Sequence, residues 1–445
     1  MKRHKYLNTI INKKLFCFIF VSVMTSGISA SVTVEEDPYP LLFLQRNLSR
    51  ILVNDNIAPP LAARDYVYPQ IAAYFILTLD QPGKKICQSI RNFPSVDLSL
   101  MPKNYPHSLA ASFAFFEVAK KMIYTRQPFI DSFAVLKDWY KEKGTEAVSF
   151  ESARQAGERI ASAIVDWMNE DQFEETRRMN KYVLLKTPGK WQITPPGYFP
   201  AVEPHWGEIR TMFMQKPFSE ILLPVPFDTT ANSAFYKEAL NVYSIGIHLT
   251  EDQKLVASFW DCNPFALHPT GHINSIVKKI SPGGHWMSIA GIACRSRQFN
   301  LEKTSEAYTL CAITLFDAFI YTWDIKYQYN YLRPETYIEQ MGIDAGWQPY
   351  IQSPPFPEFP SGHAVISNAA AVVLTSIFGS GFVFTDNTET EFGLDERTFH
   401  SFQQAADEAT ISRVYGGIHF LFSCEIGQEM GKRIAKNILD KLSNQ

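Results

Sequence analysis

Cysteine is scarce in this chain and is never closely paired. Six cysteines occur among 445 residues, and none forms a Cys-x-x-Cys pair. Zinc knuckles and dense disulfide scaffolds depend on such close spacings, so neither is indicated. An odd number follows the N-terminal Cys17, so at least one thiol is unpaired, while one or two disulfides remain open; these cysteines are Cys87, Cys262, Cys294, Cys311 and Cys424.

The features of nucleic-acid-binding and repeat proteins are also missing. No Lys/Arg-rich stripe is interleaved with aromatic residues, and the formal net charge is −3, so no nucleic-acid partner is expected. There is no internal repeat of fixed period and no low-complexity tract, and strand signals are sparse. The composition, with 46% apolar and 20% charged residues, is that of a globular protein with a large core.

Residues 1–30 have the pattern of a secretory signal peptide. Basic residues precede an apolar run from Leu15 to Met24, and small residues follow up to Ala30. The run is short for a membrane span, and Cys17 lacks the preceding small residue of a lipoprotein signal. We therefore expect cleavage near Ala30 and a soluble, periplasmic or secreted product without stable membrane insertion. The alternative is an uncleaved anchor.

Most of the remaining chain has apolar residues at helical spacing. Positions 109, 113, 116 and 119 illustrate it, and further helical patterns cover residues 62–79, 128–143, 150–175, 232–243, 251–260, 269–279 and 305–327. The pattern predicts an all-α fold built from helical bundles. Residues 186–228, rich in Pro and Trp, interrupt it. They predict an irregular strap that joins an N-terminal helical half, residues 31–228, to a C-terminal half, residues 229–445.

A stretch without any charge, residues 364–385, has two interpretations. It could be a membrane helix, but Ser367, Asn368, Gly379 and Gly381 interrupt it. A central helix buried within the protein fits better.

Three short segments carry the residues that could bind a ligand or take part in catalysis. In the first, Lys326 and Arg333 are seven apart, so one helix would place both on the same face before Pro334 ends it. The second, Pro360-Ser-Gly-His363, begins the uncharged stretch. There Ser361 is a good helix N-cap, and Gly362 lets a ligand approach the free N–H groups of the first turn.

The third segment runs from Ser412 to His419. Its Gly416-Gly417 pair allows a bend that brings Arg413 and His419 toward one point. Together the segments would form a cage of donors that suits a tetrahedral oxyanion such as phosphate or vanadate. One histidine could bond to the central atom while the other serves as acid and base. Each segment alone also fits a solvated helix face, a buried histidine or a glycine turn; their joint occurrence favours function.

The spacings Lys-x6-Arg-Pro, Pro-Ser-Gly-His and Ser-Arg-x5-His resemble a known three-part signature. It is shared by the type 2 phosphatidic acid phosphatase (PAP2) superfamily and the vanadium-dependent haloperoxidases. The strong motifs cover about residues 317–430. A weaker likeness to secreted bacterial haloperoxidase-like proteins extends through Trp191, Pro204-His-Trp206 and Phe259-Trp-Asp-Cys-Asn-Pro264.

The resemblance implies a role for each matching residue. The oxyanion, vanadate or phosphate, would be bound by Lys326, Arg333, Ser361, Gly362 and Arg413. In a haloperoxidase, His419 would be the only protein ligand of the vanadium, and His363 would be the acid–base residue. In a phosphatase, His419 would form the phosphohistidine and His363 would protonate the leaving alkoxide. Trp323 and Phe356 stand where haloperoxidases also have aromatic residues near the cofactor.

Two positions depart from the pattern of the family that this chain resembles. Relatives often have Asp four residues after the last histidine, which would orient its ring, and many have Arg two residues after it; here these positions are Ser423 and Leu421. Glu425 could supply the missing carboxylate, or could be an acid in the first turn of the C-terminal helix.

We therefore expect an all-α haloperoxidase-like enzyme that oxidises halide with hydrogen peroxide at vanadate. The alternatives are a soluble phosphatase that acts on phosphate esters, and a degenerate anion-binding protein. Other candidates are weaker. His268 and His272 have no third ligand at metal spacing, and Asp317 could pair with a cation of the cage or with a structural partner.

Overall fold

The apolar patterns of the sequence fold mostly into helices. The computed structural model describes residues 33–81, 83, 86–215, 223–270 and 273–443. The α-helices in these ranges are α1 (Tyr39–Asn54), α2 (Pro59–Thr78), α3 (Ile86–Ser89), α4 (His107–Met122), α5 (Gln127–Glu142), α6 (Ala147–Met168), α7 (Phe173–Arg178), α8 (Ala234–Ile247), α9 (Glu251–Phe259), α10 (Pro282–Ser296), α11 (Leu301–Tyr329), α12 (Pro334–Gln340), α13 (Gly362–Phe378), α14 (Phe402–Tyr415) and α15 (Leu421–Ser443). The all-α prediction is confirmed.

Two small antiparallel hairpins are the strand content of the described ranges. They pair β1 (Leu267–Thr270) with β2 (Ile273–Ile276), and β3 (Phe384–Asp386) with β4 (Arg397–Phe399). The first hairpin shows that the predicted helix over residues 269–279 is wrong. Pro269 lies within β1, and proline lacks the backbone N–H that a helix interior requires.

Helix α11 is the central element of the fold. Of its 29 residues, 22 are buried, and it packs against α2, α10 and α13. Helix α13 in turn packs closely against α15. A Cβ atom at Gly431 would lie 2.2 Å from the Val365 carbonyl oxygen, so glycine is needed for this approach. The contact holds the middle of α15 against the first turn of α13.

The described parts of the irregular segment, residues 186–215 and 223–228, carry side chains that pack into the core. Trp191 and Trp206 are fully buried, which confirms that its aromatic residues serve packing. The backbone N–H groups of Met212, Phe213 and Met214 donate to the buried Asp317 carboxylate of α11 at 2.6–2.9 Å. Asp317 therefore has the structural partner that the sequence left open, and it anchors this segment to the central helix.

The uncharged stretch is a buried helix, as predicted. Helix α13 is largely buried within the protein. Within the described ranges, no helix combines the length and apolar character that a membrane crossing requires. Residues 34–445 form one compact unit. The boundary at residue 228 stays a prediction, and the proposed signal peptide, residues 1–30, lies outside the described residues.

Candidate active site

The first two cations of the site come from consecutive helices. Lys326 lies in the last turn of α11, which ends at Tyr329 because Asn330 adopts a left-handed conformation with φ 52°. Arg333 is the N-cap residue of α12, and Pro334 is its first residue. The prediction of one continuous helix that Pro334 ends is therefore wrong; proline is favoured at the first position of a helix, and here it begins one.

All three N–H bonds of the Lys326 ammonium group are used by backbone carbonyls. It donates to Pro357, Glu358 and Pro360 at 2.6–2.9 Å. The ammonium group is fully buried, and burial together with the nearby Arg333 guanidinium lowers its pKa well below the usual value. Lys326 thus fixes the segment before His363 and contributes charge to the site, with its donors turned to that segment.

Arg333 connects this segment to the last histidine. Its guanidinium donates to the Phe356 carbonyl at 2.9 Å and to the Ile418 carbonyl at 2.9 Å. Its Nη1 also donates to Nε2 of His419 at 3.1 Å. The ring of Phe356 lies 5.3 Å from the guanidinium and 4.9 Å from the ring of Trp323, so the predicted aromatic pair covers the cations.

Helix α13 begins at the Pro-Ser-Gly-His motif, as predicted. Ser361 is its N-cap residue, but its hydroxyl makes no capping hydrogen bond and is buried without a nitrogen or oxygen partner. A Cβ atom at Gly362 would meet only Lys326 and Trp323, at 3.8 Å. The first turn of α13 therefore has a buried Ser361 hydroxyl without a nitrogen or oxygen partner, and open space in front of Gly362.

His363 faces a small pocket of about 30 Å³ whose wall it shares with Gly362, Arg413 and His419. Burial, and then the charges of Arg413, His285 and Lys326, lower its pKa well below the usual value, so the ring is neutral near pH 7. Its Nε2 atom is buried without a hydrogen-bond partner among the described residues. This atom is free to accept a proton in the pocket.

Arg413 and His419 are brought together by the glycine pair at the end of α14. Gly417 adopts φ 77°, and a Cβ atom there would lie 3.0 Å from Pro349. Arg413 is fully buried and donates to the Trp260 carbonyl at 2.7 Å. The bend that the sequence predicted is present.

The residue that orients His419 is Glu358, which sequence reasoning missed. Its Oε1 atom lies 2.7 Å from Nδ1 of His419 and accepts the backbone N–H of Phe420 at 3.1 Å. Because Nδ1 donates to the carboxylate, the Nε2 atom keeps its lone pair and accepts from Arg333. The proposed substitute, Glu425, is exposed to solvent instead. The only signal for Glu358 was one acid within an apolar, Pro-rich run.

The site carries more positive than negative charge. Lys326, Arg333 and Arg413 are all buried, and burial is the main cause that lowers the pKa of Arg333 to about 10 and also lowers that of Arg413. Glu358 is the carboxylate buried among them, and burial raises its pKa to about 7. An anion bound here would offset the cost of burying these cations.

Of the predicted binding residues, Gly362, His363, Arg413 and His419 line the pocket, while Lys326, Arg333 and Ser361 stand behind its wall. The structure thus brings all seven residues into one cluster, in two layers.

These features define a helical-bundle protein with a buried cationic cluster that contains two histidines. Residues 306–445 match the domain described as the VCPO second helical-bundle domain. The structure of the first bacterial vanadium-dependent iodoperoxidase is similar over 91% of this chain and 96% of that chain, with 37% identity and a TM-score of 0.83. The chain belongs to the vanadium haloperoxidase family and is a haloperoxidase-like enzyme.

Two more distant structures share the fold. A bacterial vanadium-dependent chloroperoxidase in its holo form aligns over 87% of this chain and 93% of that chain, with 15% identity and a TM-score of 0.63. The apo form aligns over 93% and 99%, with 14% identity and a TM-score of 0.64. No curated protein sequence matches this chain.

Proposed function

We propose that this enzyme binds vanadate in the cationic cluster and uses hydrogen peroxide to oxidise halide, with iodide as the first candidate. The observation that carries the proposal is the lone pair of His419 Nε2, directed by Glu358 and set beside buried cations. Iodide is chosen because the relative with 37% identity is an iodoperoxidase.

The residues present fit vanadate in three respects. His419 offers a neutral imidazole nitrogen, since burial and the charge of Arg333 keep its pKa well below the usual value. The Ser361 hydroxyl is buried with no nitrogen or oxygen partner of its own. The space in front of Gly362 lets an oxyanion reach the first N–H groups of α13.

Each residue then has a defined task. His419 would hold the vanadium through Nε2, while Arg333, Arg413, Ser361 and the N-terminus of α13 would bind its oxygens. Bound vanadium would supply Lewis acidity toward peroxide. His363, neutral and with a free Nε2, would take the proton that peroxide loses on entering the pocket and return it later. Lys326 would add charge and hold the segment before His363 rigid.

A phosphatase is the second candidate, because Glu358 also supports that chemistry. A histidine nucleophile needs a carboxylate that fixes its tautomer. Ser423 stands where relatives often have Asp, which argued that this carboxylate was missing. The contact between Glu358 and His419 removes this objection. It also removes the main reason for regarding the protein as a degenerate anion binder.

One experiment separates these functions. The enzyme is dialysed free of phosphate, loaded with orthovanadate, and assayed for peroxide-dependent oxidation of iodide, bromide and chloride beside hydrolysis of a phosphate ester. We expect vanadate-dependent iodide oxidation that is lost in His419→Ala and retained in His248→Ala, which changes an exposed histidine of the surface. Ester hydrolysis without any vanadate-dependent oxidation would refute the haloperoxidase proposal and support the phosphatase.

We also propose that the chain is exported and cleaved near Ala30. The basic, apolar and small-residue regions of residues 1–30 support this. N-terminal sequencing of the product from the periplasm or culture medium tests it, and a mature chain that still begins at Met1 would refute it.

A further inference from the structure

A second buried cluster lies beside the pocket, outside the proposed catalytic machinery. It combines Cys262, from the segment after α9, with His285 in the first turn of α10 and Glu389, from the connection between β3 and β4. All three side chains are buried, with exposed fractions of 2%, 0% and 4%. Their potential ligand atoms lie within 4.8 Å of one another.

The spacing of these atoms matches a tetrahedral ion. Nδ1 of His285 lies 3.6 Å from the Cys262 sulfur and 3.2 Å from Oε1 of Glu389. Usual zinc bond lengths combined with tetrahedral angles place sulfur about 3.6 Å, and oxygen about 3.3 Å, from a ligating nitrogen. Two of the three ligand–ligand distances therefore match a tetrahedral ion. The sulfur and Oε1 lie within 4.8 Å of each other, and a small rotation of the Glu389 carboxylate toward the sulfur would complete the set.

The other ring nitrogen of His285 is held as metal-binding histidines usually are. Its Nε2 atom lies 2.7 Å from Oδ2 of the buried Asp386. The second oxygen of Asp386 accepts the backbone N–H of Thr388 at 2.9 Å. A carboxylate behind the ring fixes the tautomer and leaves the Nδ1 lone pair free for an ion.

Without an ion, Cys262 and Glu389 both depend on the same ring nitrogen. A protonated Nδ1 carries one hydrogen, yet both the sulfur and the Glu389 oxygen face it. Apart from this nitrogen at 3.2 Å, Oε1 of Glu389 is buried without a hydrogen-bond partner among the described residues. Buried unpaired carboxylate oxygens are costly, and a cation at Nδ1 would bind both groups at once.

We propose that Cys262, His285 and Glu389 bind a zinc ion, with water as the fourth ligand. A thiolate, an imidazole and a carboxylate form a donor set that suits Zn²⁺. The ion stabilises the wall of the pocket, because the ring of His285 stacks on Trp260 at 4.7 Å and the carbonyl of Trp260 accepts from Arg413. None of the three ligands is assigned to the oxyanion or to the reaction proposed above.

Metal analysis of the full chain, expressed without a polyhistidine tag, tests the proposal. We expect one zinc per chain after dialysis, and replacement by Co²⁺ should give the near-ultraviolet absorption of a thiolate–cobalt bond. Cys262→Ser should lose that absorption and Glu389→Gln should bind the metal at least 10-fold more weakly. The matched control Cys87→Ser, which removes a buried thiol elsewhere, should keep both properties.

Two results would overturn the proposal. One is a wild-type chain that retains no zinc and shows no thiolate absorption with Co²⁺. The other is an absorption that persists in Cys262→Ser, since the metal would then lie elsewhere. If Cys262→Ser does not fold, the wild-type spectrum and Glu389→Gln still decide.

Discussion

The carboxylate that contacts the Nδ1 atom of His419 belongs to Glu358, in the segment that leads into α13. Glu358 lies five residues before His363, so one short stretch of chain carries both the acid–base histidine and the group that orients the other histidine. The sequence motifs identified the seven residues that the structure brings into one cluster, because the spacing within each motif is local; their role in binding an oxyanion stays a prediction. Glu358 could not be predicted, since its partner is 61 residues away and only folding brings the two together.

Replacing Glu358 by Gln tests its orienting role. The variant keeps an oxygen for Nδ1 but loses the charge that favours the correct tautomer, so we expect vanadate to bind about 10- to 100-fold more weakly. Equilibrium dialysis with vanadate measures this. The control Glu425→Gln changes an exposed acid and should bind vanadate like wild type. Weakening in the control with no effect in Glu358→Gln would show that Glu425 is the orienting acid.

His363 should link anion binding to proton uptake. Its pKa is lowered in the anion-free site by burial and by the charges of Arg413, His285 and Lys326, and a bound anion offsets those charges. The pKa therefore rises on binding, a proton is taken up, and affinity increases as the pH falls, by up to about tenfold per pH unit.

Phosphate titrations from pH 5 to pH 8 measure this linkage. The comparison with His363→Ala cancels the titration of phosphate itself, and the variant should show the shallower slope. Equal slopes for the two proteins would exclude His363 as the linked group.

At the scale of elements, the sequence predicted helices well and their ends poorly. The break at Asn330 and the restart at Pro334 rest on a left-handed residue and a favourable first position, which a seven-residue spacing does not reveal. The sequence pattern predicted a helix where β1 and β2 form a hairpin, because a short apolar run fits both helical and strand periodicity. The proposed zinc cluster could not be predicted from the sequence, because its three ligands come from separate elements of the fold.

The anchor between α11 and the irregular segment can be tested through Asp317. Asp317→Asn places an N–H₂ or a neutral oxygen opposite three backbone donors, so we expect the free energy of unfolding to fall by about 2 kcal/mol. Urea denaturation measures this. The control Asp395→Asn, at an exposed position, should change it by less than about 0.5 kcal/mol. Equal stabilities would show that the anchor contributes nothing.

At the scale of the whole molecule, a chain that begins at Val34 should suffice for folding and binding. Residues 34–445 form one unit that contains the complete oxyanion site. Within its first residues, the Glu35 carboxylate accepts the Ser108 N–H at 3.0 Å, and the Glu36 carbonyl accepts the Leu301 N–H at 2.8 Å. We expect the Val34 chain to bind phosphate with the Kd of the full chain, measured by calorimetry.

A chain that begins at Tyr39 provides the comparison. It loses both hydrogen bonds, each worth about 1 kcal/mol, and should melt at a lower temperature than the Val34 chain. Weaker phosphate binding by the Val34 chain than by the full chain would contradict the prediction.

The position of Glu358 also has a consequence for how relatives of this enzyme diverge. Ser423, four residues after His419, lies beside the Glu358 carboxylate and lowers its pKa. Acids at both positions would bury two like charges together, and acids at neither would leave His419 without an orienting group. Relatives should therefore carry an acid at one position or the other, and an evolutionary change from one arrangement to the other requires both residues to change together.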